Sequence, residues 1–441
     1  MRKTATEIVK KLQDNGYEAY FAGGAVRDLL LRKEPKDIDI ATSAPPEQIE
    51  KIFSKTTPVG RRFGIITVIL NDEAFEVATF RSESDYKDNR RPSKITFSSA
   101  KEDAIRRDFT INGLFLNPTN NQIIDYVGGQ EDIKKKTIRF IGSAKERIEE
   151  DHLRLVRAIR LKTTLGFQYA PETFEAVRNC ASLIKEVSAE RIRDELNLIL
   201  KSPNRHQGFI ELSESNLLKF IIPKLDEMKG VPQPDVFHKE GDVFVHTYLA
   251  LKSLPDDSPS YLAWAVMLHD IAKPKTLIKE KRIIFHDHAQ ESAKLAREIL
   301  GRLKFPKFET YDICWLIENH MRIADIEKMR PNKALEFVLD PKFSDLIKLA
   351  EADAKGTYPI RDEFVANLKK YVERATKFKE NKQHLKEIRI LTGDDLIKIG
   401  IEPGERFKKI LDEIDSMKVE GKLKTKEEAI AYITKKLKDE N

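Results

Sequence analysis

Two aspartates separated by one residue, Asp37 and Asp39, are the first candidates for chemistry in this 441-residue chain. They lie in the β-rich segment DIDIATS, and in a strand residues two apart face the same side. Both carboxylates then point together, while Ile38 and Ile40 face the core. Adjacent carboxylates repel each other unless a cation lies between them, and Mg²⁺ bound by carboxylates and substrate phosphates is the natural cation. The pair predicts a metal site for phosphate chemistry; the alternative is a solvated acidic face on an edge strand.

A pair of glycines, Gly23 and Gly24, precedes the aspartates, after a predicted strand and before a predicted helix. Glycines let the backbone approach a ligand closely, and a helix N-terminus offers free N–H groups to phosphate oxygens. Arg27 adds a forked donor for a triphosphate. Glu76 alternates with apolar residues in a later strand and is a candidate third carboxylate. The alternatives are a plain strand-to-helix turn and an ordinary exposed strand position.

The segment RRDFTIN (106–112) concentrates groups that suit phosphates and ribose hydroxyls. Arg107, Asp108 and Asn112 are its candidates for nucleotide binding. The alternative for Asp108 is a helix cap with a flanking ion pair.

The segment ERIEEDHLRLVRAIR (146–160) predicts one helix with two distinct faces. Asp151, Arg154 and Arg157 share the polar face, at spacings i, i+3 and i+6. The apolar face carries Ile148, Leu155, Val156 and Ile159. A carboxylate and a guanidinium on one rigid face suit the donors and acceptors of a nucleobase edge, so this face predicts base selection without a nucleic-acid template. A surface ladder of ion pairs is the alternative.

Histidines concentrate in one part of the chain, since six of the nine fall between residues 238 and 320. His246 follows a turn, and His269 and Asp270 end an apolar helical segment. Neutral imidazoles and carboxylates together suit a first-row divalent transition metal. A single histidine of this kind is more often a hydrogen-bonded core or surface residue, but the set together predicts a metal site.

The chain divides into an α/β part and a longer helical part. Short β-rich segments occupy residues 1–145, and helical periodicity follows almost to the end. The segment 230–242, rich in Pro, Gly and Asp, and a change near residue 380 divide the helical part. The predicted fold class is α+β, a mixed sheet with helices followed by all-α domains. The predicted domains are 1–145, 146–235, 236–378 and 379–441.

The ordered motifs of residues 15–220 resemble class II CCA-adding enzymes and their poly(A) polymerase relatives. The resemblance rests on GGAVRD, the DID pair, RRDFTIN, DYVGG, EDHLR and SAERIRDEL. It implies a DNA-polymerase-beta-like nucleotidyltransferase head followed by a helical neck, body and tail. It also implies tRNA as the partner, CTP and ATP as substrates, and two-metal phosphoryl transfer that releases pyrophosphate.

The same resemblance assigns roles to the candidate residues. It implies that the DID pair binds the catalytic metals, with Glu76 as a candidate third carboxylate. It pairs the incoming base with Asp151 and Arg154, and it gives Arg191 a role in structure or substrate positioning. Contacts to triphosphate and sugar would come from Arg107, Asp108 and Asn112, with Arg157 nearby.

The histidine-rich part resembles the HD superfamily of metal-dependent phosphohydrolases over about residues 236–378. The resemblance implies one metal bound by His246, His269, Asp270 and Asp353. His288 and His320 would complete a two-metal site, His286 is a further candidate, and Lys273 would meet a phosphate. HD domains fused to CCA-adding enzymes are associated with phosphatase and 2′,3′-cyclic phosphodiesterase activities, and the sequence leaves open whether this one is active.

Composition limits the class of protein. With 40% hydrophobic and 34% charged residues, the chain is a globular protein with a heavily charged surface. A net charge of +6 permits an RNA partner without demanding one. The two cysteines form no CxxC pair, which argues against a disulfide framework or a cysteine zinc site. An amphipathic N-terminus and the lack of a long apolar run indicate no membrane contact and a cytoplasmic location. No feature indicates an oligomeric state.

Several activities remain open at this stage. The polar, basic segment 85–94 argues against an enzyme that adds only CC, since such enzymes are typically shortened there. CCA addition, A addition beside a separate CC-adding partner, and poly(A) synthesis remain. A protein that is chiefly an HD phosphohydrolase with an RNA-binding head is disfavoured by the intact DID pair. The tail is either a contact to the tRNA backbone, sensitive to salt, or a solvated helical cap.

Overall fold

The computed structural model describes residues 1–58, 60–86, 92–234, 239, 241–279, 283–360, 363–368, 370, 390–419 and 421–439. The chain forms two compact units. One contains Met1–Asp226 with Arg302–Lys304, and the other contains Glu227–Gly301 with Phe305–Asn441.

A seven-stranded mixed sheet forms the centre of the first unit, in the order β3-β4-β5-β2-β1-β8-β9. Strands β2 and β5 run parallel, and the other neighbours in this sheet run antiparallel. Strands β6 and β7 form a separate antiparallel pair. The strands are β1 (Ala19–Ala22), β2 (Asp39–Thr42), β3 (Thr56–Thr57), β4 (Ile65–Leu70), β5 (Glu73–Thr79), β6 (Arg81–Tyr86), β7 (Pro92–Phe97), β8 (Leu114–Asn117) and β9 (Gln122–Asp125).

Helices cover this sheet and then continue as a helical extension of the same unit. The helices are α1 (Arg2–Asp14), α2 (Gly24–Leu30), α3 (Pro46–Ile52), α4 (Ala100–Ile105), α5 (Gly129–Lys134), α6 (Ala144–Glu150), α7 (Arg154–Leu165), α8 (Pro171–Asn179), α9 (Ala189–Lys201), α10 (Arg205–Glu214), α11 (Leu217–Ile221) and α12 (Pro223–Asp226). Short 3-10 helices span Arg61–Phe63, Thr110–Asn112 and Ala181–Glu186. A small parallel ribbon joins β10 (Thr137–Ile138) to β11 (Gln168–Tyr169).

The pairing at the centre of the sheet brings two candidate segments to one edge. Ala22, the last residue of β1, pairs with Asp39, the first residue of β2. The Gly23 turn that follows β1 therefore lies beside the start of β2. Ile40 pairs in parallel with Val77, so Asp39 and Glu76, one residue earlier in each strand, are also neighbours.

The second unit is mostly helical. Its elements are α13 (Val243–Ser253), α14 (Ser260–Leu268), α15 (Lys273–Thr276), β12 (Leu277–Lys279), β13 (Ile283–Phe285), α16 (His288–Arg302, whose last residue is grouped with the first unit), α17 (Lys307–Asn319), a 3-10 helix (Arg322–Lys328), α18 (Pro331–Leu339), α19 (Phe343–Lys355), α20 (Gly393–Lys398), α21 (Glu405–Val419) and α22 (Lys426–Asp439). Helix α14 is apolar on all sides and is buried from Leu262 to Leu268, as expected for the central helix of a helical core.

The α+β fold class is confirmed: a mixed sheet with helices is followed by a mostly helical remainder. The ribbons β10–β11 and β12–β13 are additions to the predicted all-α part. In the described part of the chain, no helix is both long enough and apolar enough to cross a bilayer.

The prediction of one continuous helix over 146–160 is wrong. Helix α6 ends at Glu150, and α7 begins at Arg154. Asp151 lies between them with extended backbone angles, φ −148° and ψ 103°. Its side chain accepts a hydrogen bond from Leu153 N at 3.1 Å, a local bond of the kind that competes with helix continuation. The predicted apolar face is nevertheless buried, with Ile148, Leu155, Val156 and Ile159 all at 0% exposure.

Candidate functional site

A polar cavity of about 370 Å³ lies in the first unit. Six arginines and three aspartates line it, so the lining carries a formal charge of +3. All nine predicted nucleotide-binding residues meet here. The lining consists of Gly23, Gly24, Arg27, Asp39, Arg106, Arg107, Asp108, Asn112, Asp151, Arg154, Arg157 and Arg160.

The turn between β1 and α2 forms one wall of the cavity. Gly23 has φ +68° and ψ −134°, a backbone conformation that side-chain-bearing residues rarely adopt. A Cβ added to Gly23 would lie 3.0 Å from Nη1 of Arg107. The backbone angle therefore favours glycine, and a Cβ would also require the Arg107 guanidinium to move by a few tenths of an ångström.

A chain of polar contacts connects three elements around the cavity. Arg27 Nη1 in α2 donates to Asn112 Oδ1 at 2.7 Å, and Asn112 Nδ2 donates to Asp108 Oδ1 at 3.1 Å. Arg157 Nη2 in α7 lies 2.8 Å from Asp108 Oδ2. Burial opposes ionisation of Asp108, but Arg157, Arg154 and two hydrogen bonds hold its pKa below the usual value. Asp108 is therefore an ionised residue that ties the sheet region to α7.

The predicted acidic pair lies at the edge of this cavity. Asp37 precedes β2 and Asp39 begins it, and both are exposed. Ile38 and Ile40 are 3% and 0% exposed, which confirms the predicted alternation. Partial burial and the charges of Asp37 and Glu76 raise the pKa of Asp39 to about 6, while Arg107 opposes this. Asp39, with the negative charges of Asp37 and Glu76 close to it, belongs to a donor set that fits a divalent cation.

The two residues predicted to read a base are already held by protein groups. Arg191 Nη1 and Nη2 donate to the two carboxylate oxygens of Asp151 at 3.0 and 2.7 Å. Arg154 Nη1 donates to Glu150 Oε2 at 2.6 Å and to the Arg147 carbonyl at 2.7 Å. Arg154 is only 7% exposed. Both side chains are thus fixed in position while they line the cavity.

The second unit contains two groups of three metal-ligand side chains. His246, His269 and Asp353 form one group, and Asp270, His288 and His320 form the other. In each group the ligand atoms lie within 4.8 Å of one another, and no further group of this kind occurs among the described residues. The acidic residues at Asp37, Asp39 and Glu76 therefore interact by charge without reaching this spacing.

Asp270 belongs to the second group and also faces the histidines of the first. Its Oδ2 is 3.2 Å from His269 Nε2 and 3.7 Å from His246 Nε2. Its Oδ1 is 3.4 Å from His288 Nε2. One carboxylate thus presents an oxygen to each group, as a bridging ligand does. Lys273 Nζ also lies 2.7 Å from Oδ2.

Backbone carbonyls define the orientation of the four histidines. A carbonyl can only accept, so the Nδ1 atom that faces it must carry a proton, and Nε2 is the nitrogen that would bind a metal. The Nδ1 distances to carbonyl oxygens are 3.3 Å for His246 to Gly356, 2.7 Å for His269 to Val266, 3.3 Å for His288 to Phe285 and 2.6 Å for His320 to Ile317.

Two further observations fit a cation in this cluster. Among the described residues, Asp270 Oδ1 is buried without a hydrogen-bond partner, and His269 Nε2 faces the carboxylates of Asp270 and Asp353 at 3.2 and 3.6 Å. Burial opposes protonation of His269, yet Asp270 and Asp353 raise its pKa to about 10, so without metal a proton supplies the positive charge. Burial and the neighbouring histidines lower the pKa of His320 to about 3. The donor set suits a divalent metal ion.

Comparison with known protein families agrees with this arrangement. Residues 19–139 match the poly A polymerase head domain, and residues 166–229 match the probable RNA and SrmB-binding site of polymerase A. Residues 243–417 match the HD domain.

Proteins similar to this chain include CCA-adding enzymes. Over 218 residues the chain is 46% identical to the CCA-adding enzyme of Staphylococcus aureus strain MRSA252, covering 49% of this chain and 54% of that protein. The chain thus spans about half the length of the curated relatives it matches. The structure of the Bacillus stearothermophilus CCA-adding enzyme in complex with CTP matches with a TM-score of 0.73 and 27% identity over 99% of this chain and 98% of that one. The Thermotoga maritima CCA-adding enzyme complexed with tRNA shares the fold, with a TM-score of 0.62, 20% identity, and coverage of 99% and 95%.

The resemblance to class II CCA-adding enzymes with a fused HD domain is confirmed. Two predicted site residues of the first unit, Asp37 and Glu76, are absent from the lining of the cavity, whereas Asp39 belongs to it. In the HD domain, His286 is exposed and lies outside both groups. Residues 87–91 of the polar segment 85–94 lie outside the described residues.

Some residues of the site were not predicted. Arg106 and Arg160 also line the cavity of the first unit. Arg106 belongs to the RRDFTIN segment, and Arg160 continues the i+3 spacing of Arg154 and Arg157, so the sequence carried a signal for both. The Asp103 carboxylate binds the side chains of Arg106 and Arg107 without lining the cavity, and no sequence pattern indicated this residue.

Proposed function

We propose that this chain is a template-independent tRNA nucleotidyltransferase that adds CCA to the tRNA 3′ end from CTP and ATP. The observation that carries the proposal is the cavity of formal charge +3 bordered by Asp37 and Asp39. Its charge is opposite to that of a nucleoside triphosphate, and its edge presents the carboxylates that polymerising enzymes need for metal binding. The similarity to CCA-adding enzymes supports the same reading.

Asp37 and Asp39 would hold Mg²⁺, with Glu76 as a candidate third carboxylate. When bound, the metal supplies charge neutralisation at the phosphates and a lower pKa for the attacking 3′-hydroxyl. The chain's own contribution is positioning. Arg27 and Arg107 place guanidinium groups at the cavity wall, with their Nε and Nη2 atoms held by Asp28 and Asp103, and their remaining N–H groups would bind the triphosphate without covalent chemistry.

Base choice would lie with Asp151 and Arg154. The carboxylate accepts from an exocyclic amine, and the guanidinium donates to ring nitrogen or carbonyl acceptors. C carries an exocyclic amine at C4 and A carries one at C6, whereas U and G carry a carbonyl oxygen at these positions. Because Arg191 and Glu150 hold the two side chains in place, the protein surface itself acts as the template.

We further propose that the HD domain is a metal-dependent phosphohydrolase acting on phosphate esters as a phosphatase or phosphodiesterase. The two ligand groups that share Asp270 carry this proposal. Imidazole-rich ligands favour a divalent transition metal over Mg²⁺. His246, His269, Asp270 and Asp353 would hold one ion, and His288 and His320 would complete a second site with Asp270.

The proposal also assigns a role to each predicted domain and a location to the protein. The head at 1–145 and the neck and body at 146–235 would carry nucleotide addition, and 236–378 the HD activity. The helical tail at 379–441 would contact the tRNA backbone. A cytoplasmic location accompanies an activity on tRNA.

The deciding experiment is incubation of the purified protein with tRNA transcripts that lack CCA or end in C, CC or CCA. Labelled CTP should enter the first two, labelled ATP should enter only the transcript ending in CC, and the complete CCA end should accept neither. ATP addition without CTP addition would identify an A-adding enzyme. Long A tails would identify a poly(A) polymerase. No addition, together with phosphate-ester hydrolysis, would identify an HD phosphohydrolase with an RNA-binding head.

A further inference from the structure

Asp103 is a buried aspartate that precedes the two adjacent arginines of the cavity. It lies in α4 and is 1% exposed, and it is absent from the residues that line the cavity. Its Oδ1 accepts hydrogen bonds from Nε and Nη2 of Arg106 at 2.9 and 2.7 Å. Its Oδ2 accepts from Nε and Nη2 of Arg107 at 3.2 and 3.0 Å. One carboxylate therefore holds both guanidiniums by their inner edges.

Charge explains why this arrangement is stable in a buried position. Burial acts to raise the pKa of Asp103, but Arg107 and Arg106 hold it below the usual value. The carboxylate is therefore ionised at neutral pH. Two adjacent guanidiniums repel each other when nothing neutralises them, and a buried charge between them allows both to face the same cavity.

The position of Arg107 shows what this pairing does for the site. Its guanidinium lies over the Phe115 ring, 5.2 Å from the centroid. Its Nη1, the atom that does not contact Asp103, lies beside the Gly23 turn. Its positive charge also acts to lower the pKa of Asp39. Arg107 thus points from Asp103 toward the place where the cavity wall and the acidic pair meet.

We propose that Asp103 is a positioning residue for the triphosphate of the incoming nucleotide. It acts through Arg106 and Arg107 and does not touch the nucleotide. The proposal rests on the proposed nucleotidyltransferase function. Among the bonds of the described residues, Asp103 makes no direct contact with Asp151 or Arg154, and the link to Arg154 runs through the Arg106 backbone carbonyl, which accepts from Arg154 Nη2 at 3.4 Å. The effect of Asp103 on phosphate binding should therefore exceed its effect on base selection.

The test uses the full chain and three variants. Asp103→Asn keeps the shape but removes the charge, and Asp103→Glu keeps the charge but moves it. Glu211→Gln is the matched control, because Glu211 is also a buried carboxylate of the first unit, 6% exposed and paired with Lys162, but it does not line the cavity. Calorimetry measures the Kd of inorganic tripolyphosphate with Mg²⁺, and steady-state assays measure KM and kcat for CTP.

Asp103→Asn should raise both the tripolyphosphate Kd and the KM for CTP roughly tenfold, the size expected for losing hydrogen bonds to a charged group. The change in kcat, in tRNA affinity and in the choice of CTP over UTP should be smaller. Asp103→Glu should lie between wild type and Asp103→Asn, and Glu211→Gln should bind tripolyphosphate like the wild type even where its melting temperature falls.

Several results would overturn the proposal. The proposal is wrong if the tripolyphosphate Kd of Asp103→Asn equals that of Glu211→Gln. It is also wrong if the wild type does not bind tripolyphosphate. If Asp103→Asn does not fold, an unchanged Kd in Asp103→Glu overturns it instead. A wild type that binds tripolyphosphate in an Asp103-dependent way but adds no nucleotide would refute the proposed function and leave the role of Asp103 intact.

Discussion

Replacing Asp39 with asparagine should stabilise the metal-free protein and abolish nucleotide addition. The pKa of Asp39 is raised from 3.8 to about 6. A shift of about two pKa units corresponds to roughly 3 kcal/mol at most. Because the side chain is exposed, screening reduces this to about 1 kcal/mol. Such a gain raises the melting temperature of a unit of this size by roughly 3 °C.

The pH range of this effect follows from the sign of the shift. A carboxyl whose pKa is raised on folding favours the folded state below its unfolded pKa, and this contribution is lost as pH rises through the folded pKa. The wild type should therefore lose stability relative to Asp39→Asn between about pH 4 and pH 6, and the gap should stay constant above that.

The assay is thermal unfolding in EDTA at pH 4 and pH 7, beside an exposed control, Asp257→Asn, in the second unit. Adding Mg²⁺ and CTP should stabilise the wild type, since the bound cation would neutralise the repulsion between the carboxylates. The same addition should leave Asp39→Asn unchanged, because this variant lacks a carboxylate ligand. A gap of the same size at both pH values would show that carboxylate repulsion is not its source. Normal nucleotide addition by Asp39→Asn would remove Asp39 from the metal site.

Three further outcomes are expected. Asp151→Ala and Arg154→Ala should lower CTP and ATP incorporation and relax discrimination against UTP in competition assays; unchanged preference in both would refute base reading. Asp270→Ala should strip metal from the HD domain and remove phosphatase or phosphodiesterase activity while nucleotide addition persists, as metal analysis beside both assays would show; retained metal would contradict the ligand assignment. Gly23→Ala should cost about 1–3 kcal/mol of stability, measured by denaturant unfolding, because its backbone angles are strained for alanine and its Cβ would meet Arg107.

Patterns that depend on a single strand were predictable from the sequence. The alternation of exposed Asp37 and Asp39 with buried Ile38 and Ile40 matches the two-residue period predicted for a strand, although β2 itself begins at Asp39. The approach of Glu76 to Asp39 was not predictable in the same way. It depends on the parallel pairing of β2 with β5, which joins segments that are distant in the chain.

Features that depend on side-chain competition or on helix packing were harder to predict. The helix wheel over 146–160 assumed an uninterrupted helix, whereas the Asp151 side chain binds Leu153 N and ends it. Clustered histidines indicated a metal site, but their division into two groups comes from the packing of α13, α14, α16, α17 and α19. Asp353 was identified through family resemblance, because it lies 107 residues from its partner His246.

The break at Asp151 has a consequence for how nucleotide preference can change, by evolution or by engineering. One side chain accepts from Leu153 N to shape the junction of α6 and α7, pairs with Arg191 and faces the cavity. A substitution that alters its hydrogen-bonding pattern toward the base also alters the backbone that presents Arg154. If the proposed function holds, changes of preference that keep the protein folded are expected first at residues that hold the Arg154 side chain, such as Glu150, and Asp151 should tolerate the fewest replacements.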